Sequence, residues 1–214
     1  MKERMGRRVV MSVLGVVICG ISVGMFKFAA LGVDPFQSLM SGLDAIIPIR
    51  FGTLYVIVNL ILLSFALIFD RRKIGLATLI NLSLLGYIAE FSQRCMDRLI
   101  PSATLPLRFG VLVVAIVIMC LASAFYFTAD LGVSTYDALS LIWSEKQSSI
   151  PFFICRVISD LICVVAGVAL CRFAGFSLGQ IMGQVGIGTI ITAFFMGPLI
   201  EFFNQKVAKP FLMG

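Results

Sequence analysis

The sequence predicts an all-α polytopic membrane protein, with about six transmembrane helices arranged as two inverted three-helix repeats and one extra short helix in each. Three observations carry this expectation: an apolar composition, six long apolar runs, and an internal repeat whose copies hold three runs each. Of 214 residues 60% are hydrophobic and 13% charged, and the mean hydropathy is +1.06, far from the balance of a soluble domain. A crossing helix needs about 20 apolar residues. Runs near that length occur at Val9 to Ala30, Leu54 to Phe69, Ile74 to Phe91, Phe109 to Ala129, Pro151 to Leu170 and Leu178 to Phe203. The second and third are separated only by Asp70, Arg71, Arg72 and Lys73.

The net charge of +6 does not point to nucleic acid, because the basic residues sit at the ends of apolar runs and form no basic face. They read as topology signals. With the N-terminus inside, ten basic residues fall on the cytoplasmic side, Lys2, Arg4, Arg7, Arg8, Arg71, Arg72, Lys73, Lys146, Lys206 and Lys209, against five outside, Arg50, Arg94, Arg98, Arg108 and Arg172. The first run follows MKERMGRR but is long, contains Lys27 and lacks a small-x-small cleavage site, so it is expected to remain as a span.

Composition also narrows the chemistry. Histidine is absent, which removes the commonest general base and metal ligand. No Walker A loop, G-x-G-x-x-G after a strand or H-E-x-x-H occurs, and the six cysteines have no C-x-x-C spacing. No cofactor, metal or enzymatic activity is expected. A lipid-modifying enzyme is the least favoured class, for want of a nucleophile and base.

The repeat is read from register. Shifted by 100, AALGVDPFQSL (Ala29 to Leu39) lies on ADLGVSTYDAL (Ala129 to Leu139). Shifted by 101, Asn59 lies on Asp160; shifted by 111, Gly75 to Phe91 lies on Gly186 to Phe202, with Gly75, Thr78, Ile80, Gly86, Glu90 and Phe91 meeting identical residues. The repeats are placed at about 9–98 and 109–205. Three spans per copy is an odd number, so the second copy must enter the membrane inverted, an arrangement typical of secondary transporters with sites at the repeat interface.

After Gly32, Asp34 is placed to cap a helix with Pro35 in its first position; after Gly132, Ser134 caps with Asp137 three residues on. About a dozen residues follow, too few to span. Phe36, Leu39, Met40 and Leu43 fall on one face and Gln37, Ser41 and Asp44 on another. The short helix is therefore either an amphipathic connector on the bilayer surface or a re-entrant segment lining a protein cavity.

Ionisable and polar groups inside apolar runs are costly and so suggest function. Asp160 lies ten residues into its run with Arg156 four before it, as a structural ion pair or a binding pair. Asn59, Thr78, Asn81 and Thr189 form a sparse polar set at repeat-related places. Glu90 and Glu201 are equivalent, as pathway groups or as ordinary helix-end residues. Gly20 with Gly24 and Gly179 with Gly183 are G-x-x-x-G pairs that suggest close helix contact, and Trp143 and Tyr87 suggest interface anchors.

The stretch ADLGVSTYDAL with Arg156, followed by GQVGIGTIITAFFMGPLIEF, resembles the YczE/YitT-like bacterial integral membrane proteins. In these the second half commonly reads LG-x-GP-x-DAL, then an Arg, then GxGT and GPL. The resemblance covers nearly the whole chain, most specifically at Gly188-Thr189 and Gly197-Pro198-Leu199. It places Asp137 on the acid of the DAL motif, Arg156 on the following Arg and Asp160 on a position often acidic. Ser134-Thr135 stands where many members have Gly-Pro, and Asp34-Pro35-Phe36-Gln37 where the first copy often has Gly-Pro-Trp-Asp, so Gln37 replaces the first-copy acid. It implies a multi-pass protein of the bacterial plasma membrane and no particular substrate.

Two function classes follow. One is a small secondary transporter or exporter of an unknown small molecule, anionic or zwitterionic if Arg156 meets it, with Asp137, Arg156, Asp160, Asn59, Gln37, Thr78, Thr189 and Glu90 along the pathway. The other is a non-transporting scaffold or regulatory partner whose buried charges serve helix packing. The lipid bilayer is the expected environment, and a homodimer is expected because six short helices enclose little volume.

Overall fold

The computed structural model describes residues 2–71, 74–147 and 152–213. Arg72 and Lys73 of the basic loop, and Pro151 at the start of the fifth expected span, lie outside the described residues. Every regular element among those described is helical: α1 (Lys2–Ala29), α2 (Pro35–Asp44), α3 (Phe51–Phe69), α4 (Leu76–Leu99), α5 (Leu105–Ala129), α6 (Thr135–Lys146), α7 (Phe152–Phe173), α8 (Leu178–Gln184), α9 (Ile187–Phe203), a π-helical turn (Asn204–Ala208) and α10 (Lys209–Met213).

Five stretches, Met5–Ala29, Phe51–Phe69, Leu105–Ala129, Ile154–Phe173 and Leu178–Met196, are long and apolar enough to cross a membrane. Their outward side chains, Ile61, Leu161 and Phe194 among them, are exposed, which suits a hydrocarbon solvent. The bounds of two expected spans are corrected. The run Leu178 to Phe203 is not one helix: it breaks at Val185 and Gly186 into α8 and α9, because the backbone there leaves the helix to bond another segment. The run Ile74 to Phe91 becomes the 24-residue α4, whose C-terminal half carries Glu90, Arg94, Asp97 and Arg98 and is less apolar than the five.

The helix directions follow from paired contacts. Gly20 lies against Ile88 and Gly24 against Ser92, so α1 and α4 run parallel at the near-backbone distance that a G-x-x-x-G pair permits. Gly179 of the other such pair has open space around it, so that pair makes no helix contact of this kind. Gly15 lies against Tyr126 and the Ser22 hydroxyl donates to the Ala115 carbonyl at 2.7 Å, so α1 and α5 are antiparallel. Gly188 lies against Leu112 and Thr128 bonds Asn204, so α5 and α9 run parallel, as α1 and α4 do.

The Leu-Gly-Val turns explain how these helices lock. Ala30 and Asp130 both have φ 51°, and Gly32 and Gly132 both have φ 106°, a region costly for any residue with a Cβ. Each turn pairs with the start of a distant helix. Gly32 N–H donates to the Gly183 carbonyl (3.0 Å), Val33 N–H to Gln184 (3.0 Å) and Gly188 N–H to Leu31 (2.9 Å). At the other junction Ala77 N–H donates to Leu131 (3.0 Å). A Cβ at Gly32 would stand 2.6 Å from the Gly186 nitrogen, and one at Gly132 2.4 Å from the Gly75 nitrogen.

Thr78 and Thr189 seal these junctions. Each side-chain oxygen accepts from the backbone N–H of its helix cap, Gly75 at 3.2 Å and Gly186 at 3.3 Å. Thr78 also donates across to the Val133 carbonyl at 2.6 Å, whereas Thr189 donates to Gln184 of its own segment at 3.3 Å. Thr78→Val takes the side-chain partner from two half-buried backbone groups, the Gly75 N–H and the Val133 carbonyl, at about 1–3 kcal/mol. We expect it to lower the midpoint of thermal unfolding in detergent by more than Thr189→Val does; equal midpoints would show that the cross-junction bond contributes nothing.

The expected amphipathicity of α2 is not what positions it. Most of its polar side chains are buried, Gln37, Ser38 and Ser41 included, and only Asp44 at its end is exposed. The reason is close packing on α7: a Cβ at Gly42 would lie 2.8 Å from the Gly167 carbonyl, and one at Gly167 2.6 Å from that of Ser38. In the same manner α6 packs on α3, with Ala138 and Ile142 clustered on Ala66.

Candidate functional site

The first turns of the two short helices meet. Asp34 caps α2, its carboxylate accepting from Gln37 N–H at 3.2 Å, and Ser134 caps α6, accepting from Asp137 N–H at 3.0 Å. Phe36 stacks on Tyr136, repeat mates under the shift of 100, at 4.9 Å between centroids, and meets Tyr55 edge-on at 6.0 Å. Around this contact lies a cavity of about 120 Å³, lined among others by Asp34, Phe36, Gln37, Tyr55, Asn59, Asn81, Tyr126, Tyr136, Asp137, Arg156, Asp160 and Thr192.

Arg156 is the hub of the charged wall. It forms an ion pair with Asp137 of α6 and a second with Asp160, one helical turn on, at 3.2 Å from Nε. Its guanidinium carbon stands 4.6 Å from the centre of the Tyr136 ring. Each carboxylate takes a hydroxyl as well: Ser134 donates to Asp137 at 2.6 Å, and the Tyr136 hydroxyl donates to Asp160 at 2.6 Å. Buried charges persist where they are paired and hydrogen-bonded in this way.

The opposite wall is the repeat-related counterpart without the ion pairs, and its one charged side chain is Asp34. Tyr55 stands where Arg156 does and Asn59 where Asp160 does, under the shift of 101; Gln37 stands where Asp137 does. Asn59 donates to the Tyr55 carbonyl at 2.8 Å and accepts from Thr135 of α6, while Tyr55 donates to Asn81 at 3.2 Å. Two cavity-lining oxygens, Gln37 Oε1 and the Tyr126 hydroxyl, are buried without a hydrogen-bond partner among the described residues. Such orphans are rare in folded proteins and call for a reason.

A second cavity, of about 370 Å³, shares Asp137, Arg156, Asp160, Phe127, Thr192 and Met196 with the first and continues along α9 past Pro198 to Glu201. The charged cluster therefore stands between the two spaces.

The structure brings together Gln37, Asn59, Asp137, Arg156 and Asp160 from the expected set. Thr78 and Thr189 line neither cavity; they are held at the helix junctions. Glu90 also lies away, paired with Arg94 and accepting from Gly52 N–H at 3.3 Å. Glu201 is exposed, bonded to Gln205 at 2.7 Å, and borders only the second cavity. Sequence reasoning missed Asp34 as a lining group, having read it only as a cap, and the aromatics Phe36, Tyr55 and Tyr136. The signal that finds them was available: each aromatic occupies a repeat position, Phe36 opposite Tyr136 and Tyr55 opposite Arg156.

Among the described residues no group of three or more Cys, Asp or Glu is arranged to hold a metal ion. No solved structure matches the chain. It is 24% identical over 199 residues to "Uncharacterized protein YyaS" of Bacillus subtilis (strain 168), covering 93% of each chain. It is also 24% identical over 204 residues to "Uncharacterized membrane protein YczE" of the same organism, covering 94% of this chain and 87% of that one. Residues 6–205 match a family described as "Family of unknown function (DUF6198)". With its apolar helices, its YczE-like sequence and a family match over almost its whole length, the chain is a multi-pass membrane protein belonging to the DUF6198 family.

Proposed function

We propose that this protein is a small secondary transporter working by alternating access of two inverted repeats, residues 9–98 and 109–205, in the bacterial plasma membrane with its N-terminus cytoplasmic. The observation that carries the reading is the cavity at the meeting point of α2 and α6, which draws matched positions from both repeats. The antiparallel packing of α1 on α5, with parallel α1/α4 and α5/α9 pairs, is what an inverted duplication produces. In this reading α4 is a sixth span, α2 and α6 are re-entrant, and each half-helix packs on the other repeat's second span. Irregular backbone at membrane depth is tolerated where it is buried in protein or lines a cavity, and half-helices ending at a midplane site are a recurring transporter device.

The scaffold alternative rests on one specific observation: Asp137, Arg156 and Asp160 are mutually paired, as a purely structural cluster requires. That cluster nevertheless walls two cavities, which packing alone does not need. With the N-terminus inside, the second cavity leads toward the cytoplasmic end of α9, so the cluster is placed to gate that route. Flux measured in proteoliposomes against a panel of labelled metabolites tests the reading. Wild type should move at least one compound, and Asp160→Asn, which retains volume but loses the charge, should reduce that flux at least tenfold. No flux of any compound, with the protein monodisperse after reconstitution, rejects transport.

A further inference from the structure

Resting on the transporter reading above, we propose that the cavity where α2 and α6 meet, closed behind them by α1 and α5, takes a small organic cation, an ammonium carrying a few carbon substituents.

Charge is the first argument. Four ionisable side chains of formal charge line the cavity: Asp34, Asp137 and Asp160 against Arg156 alone. Arg156 is already bound by two of the carboxylates, so it has little left to offer an anion. Among the described residues no ion pair reaches Asp34. The helix N-termini that converge here, each equivalent to about half a positive charge, offset only part of the acidic excess. Each is capped by a side chain that takes one backbone N–H, Asp34 on α2 and Ser134 on α6. The cavity therefore stays negative, and the expectation of an anion at Arg156 gives way to a cation.

Hydrogen-bonding capacity is the second argument and is independent of the first. Gln37 is 3% exposed and its Oε1 has no hydrogen-bond partner among the described residues. That atom only accepts. With the Asp34 carboxylate three residues before it, the first-repeat wall holds an acceptor free to take the N–H of an ammonium.

Shape is the third. Phe36 stacks on Tyr136 at 4.9 Å between centroids and meets Tyr55 edge-on at 6.0 Å; Tyr136 is covered by Phe36 and the Arg156 guanidinium, so the rings left to a ligand are those of Phe36, Tyr55 and Tyr126. Aromatic faces attract alkylated ammonium groups and hold hydrated inorganic ions poorly. This site already uses the effect internally, with the Arg156 guanidinium over Tyr136. At about 120 Å³ the space is somewhat below the roughly 150 Å³ known to admit benzene, which limits the ligand to an ion smaller than benzene, such as trimethylammonium.

The test is a size-matched charge series on the full chain in nanodiscs: trimethylammonium, the neutral isopropanol and the anionic acetate, with sodium and potassium chloride as inorganic arms. Binding is read as saturable elevation of the thermal midpoint and by calorimetry. Trimethylammonium alone should bind. Asp34→Asn keeps an equally good helix cap and should weaken it at least tenfold; Gln37→Glu, which restores the acid of the other repeat, should strengthen it at least threefold. Tighter binding of acetate, equal effects of sodium or potassium, or unchanged affinity in a folded Asp34→Asn protein overturns the proposal. If Asp34→Asn does not fold, Gln37→Glu decides, and equal or weaker binding there overturns it. Uptake of labelled trimethylammonium into proteoliposomes separates the two levels: binding without uptake keeps the cation site and removes the transporter reading. Flux of an anion with no cation binding does the reverse.

Discussion

Gly132→Ala should abolish the assembled fold. At φ 106° alanine costs about 1–3 kcal/mol in backbone strain alone. The new Cβ would also stand 2.4 Å from the Gly75 nitrogen and 2.7 Å from both its Cα and the Thr78 side-chain oxygen. Gly75 cannot yield, because a Cβ built on it would itself lie 2.0 Å from the Leu131 carbonyl; the two segments already touch backbone to backbone. Relief requires separating them, which breaks the Ala77 to Leu131 and Thr78 to Val133 bonds. We expect a total above about 4 kcal/mol, a large share of the roughly 5–15 kcal/mol that holds a typical protein together. The protein should elute as aggregate in fluorescence-detected size exclusion. Ala30→Gly is the control, since it relieves a residue at φ 51° and should raise the thermal midpoint slightly. A Gly132→Ala protein with the wild-type midpoint would refute the junction as described.

These junctions mark both what could be read from the chain and what could not. The two Leu-Gly-Val turns were legible because their cause is local and severe: positive φ and backbone contact leave only glycine, and the requirement recurs 100 residues later. The capped starts of α2 and α6 were legible for the same reason, since the Asp34 and Ser134 caps act over three residues. The break between α8 and α9 was not legible. Leu178 to Phe203 is largely apolar, and what interrupts it is Leu31, Gly32 and Val33 bonding to Gly188, Gly183 and Gln184 from far away in the chain. Thr78 and Thr189 failed as lining residues through a real ambiguity. A polar side chain in an apolar run is equally a ligand group or the partner of a stranded backbone atom, and only tertiary structure separates the two. Asp34 shows the converse, for its correct local role as a cap concealed its second role on the cavity wall. The helical spacing of Arg156 and Asp160 implied their pairing, but Asp137 joins them only because α6 folds back against α7.

Arg156→Met is the second large effect, and its rescue distinguishes packing from function. The substitution leaves Asp137 and Asp160, with side chains 12% and 11% exposed, without their cation. Breaking a buried pair in this way typically costs about 3–5 kcal/mol; at 30% exposure for the arginine side chain the lower end is expected. The thermal midpoint should fall and transport should stop. Neutralising the abandoned acids as well, in Arg156→Met with Asp137→Asn and Asp160→Asn, removes the uncompensated charge, and apolar or neutral replacements of complete ion-pair groups are often tolerated. Most of the lost stability should therefore return, because the Ser134 and Tyr136 hydroxyls still have side-chain acceptors at positions 137 and 160. The two readings of the protein part here. A cluster that only locks α6 to α7 is dispensable once packing is restored, so a scaffold would recover its function along with its midpoint. A cluster that walls both cavities and changes partners during the transport cycle is not dispensable. The triple variant should then be stable, monodisperse and inactive. Recovery of flux in it would show that these charges serve packing alone.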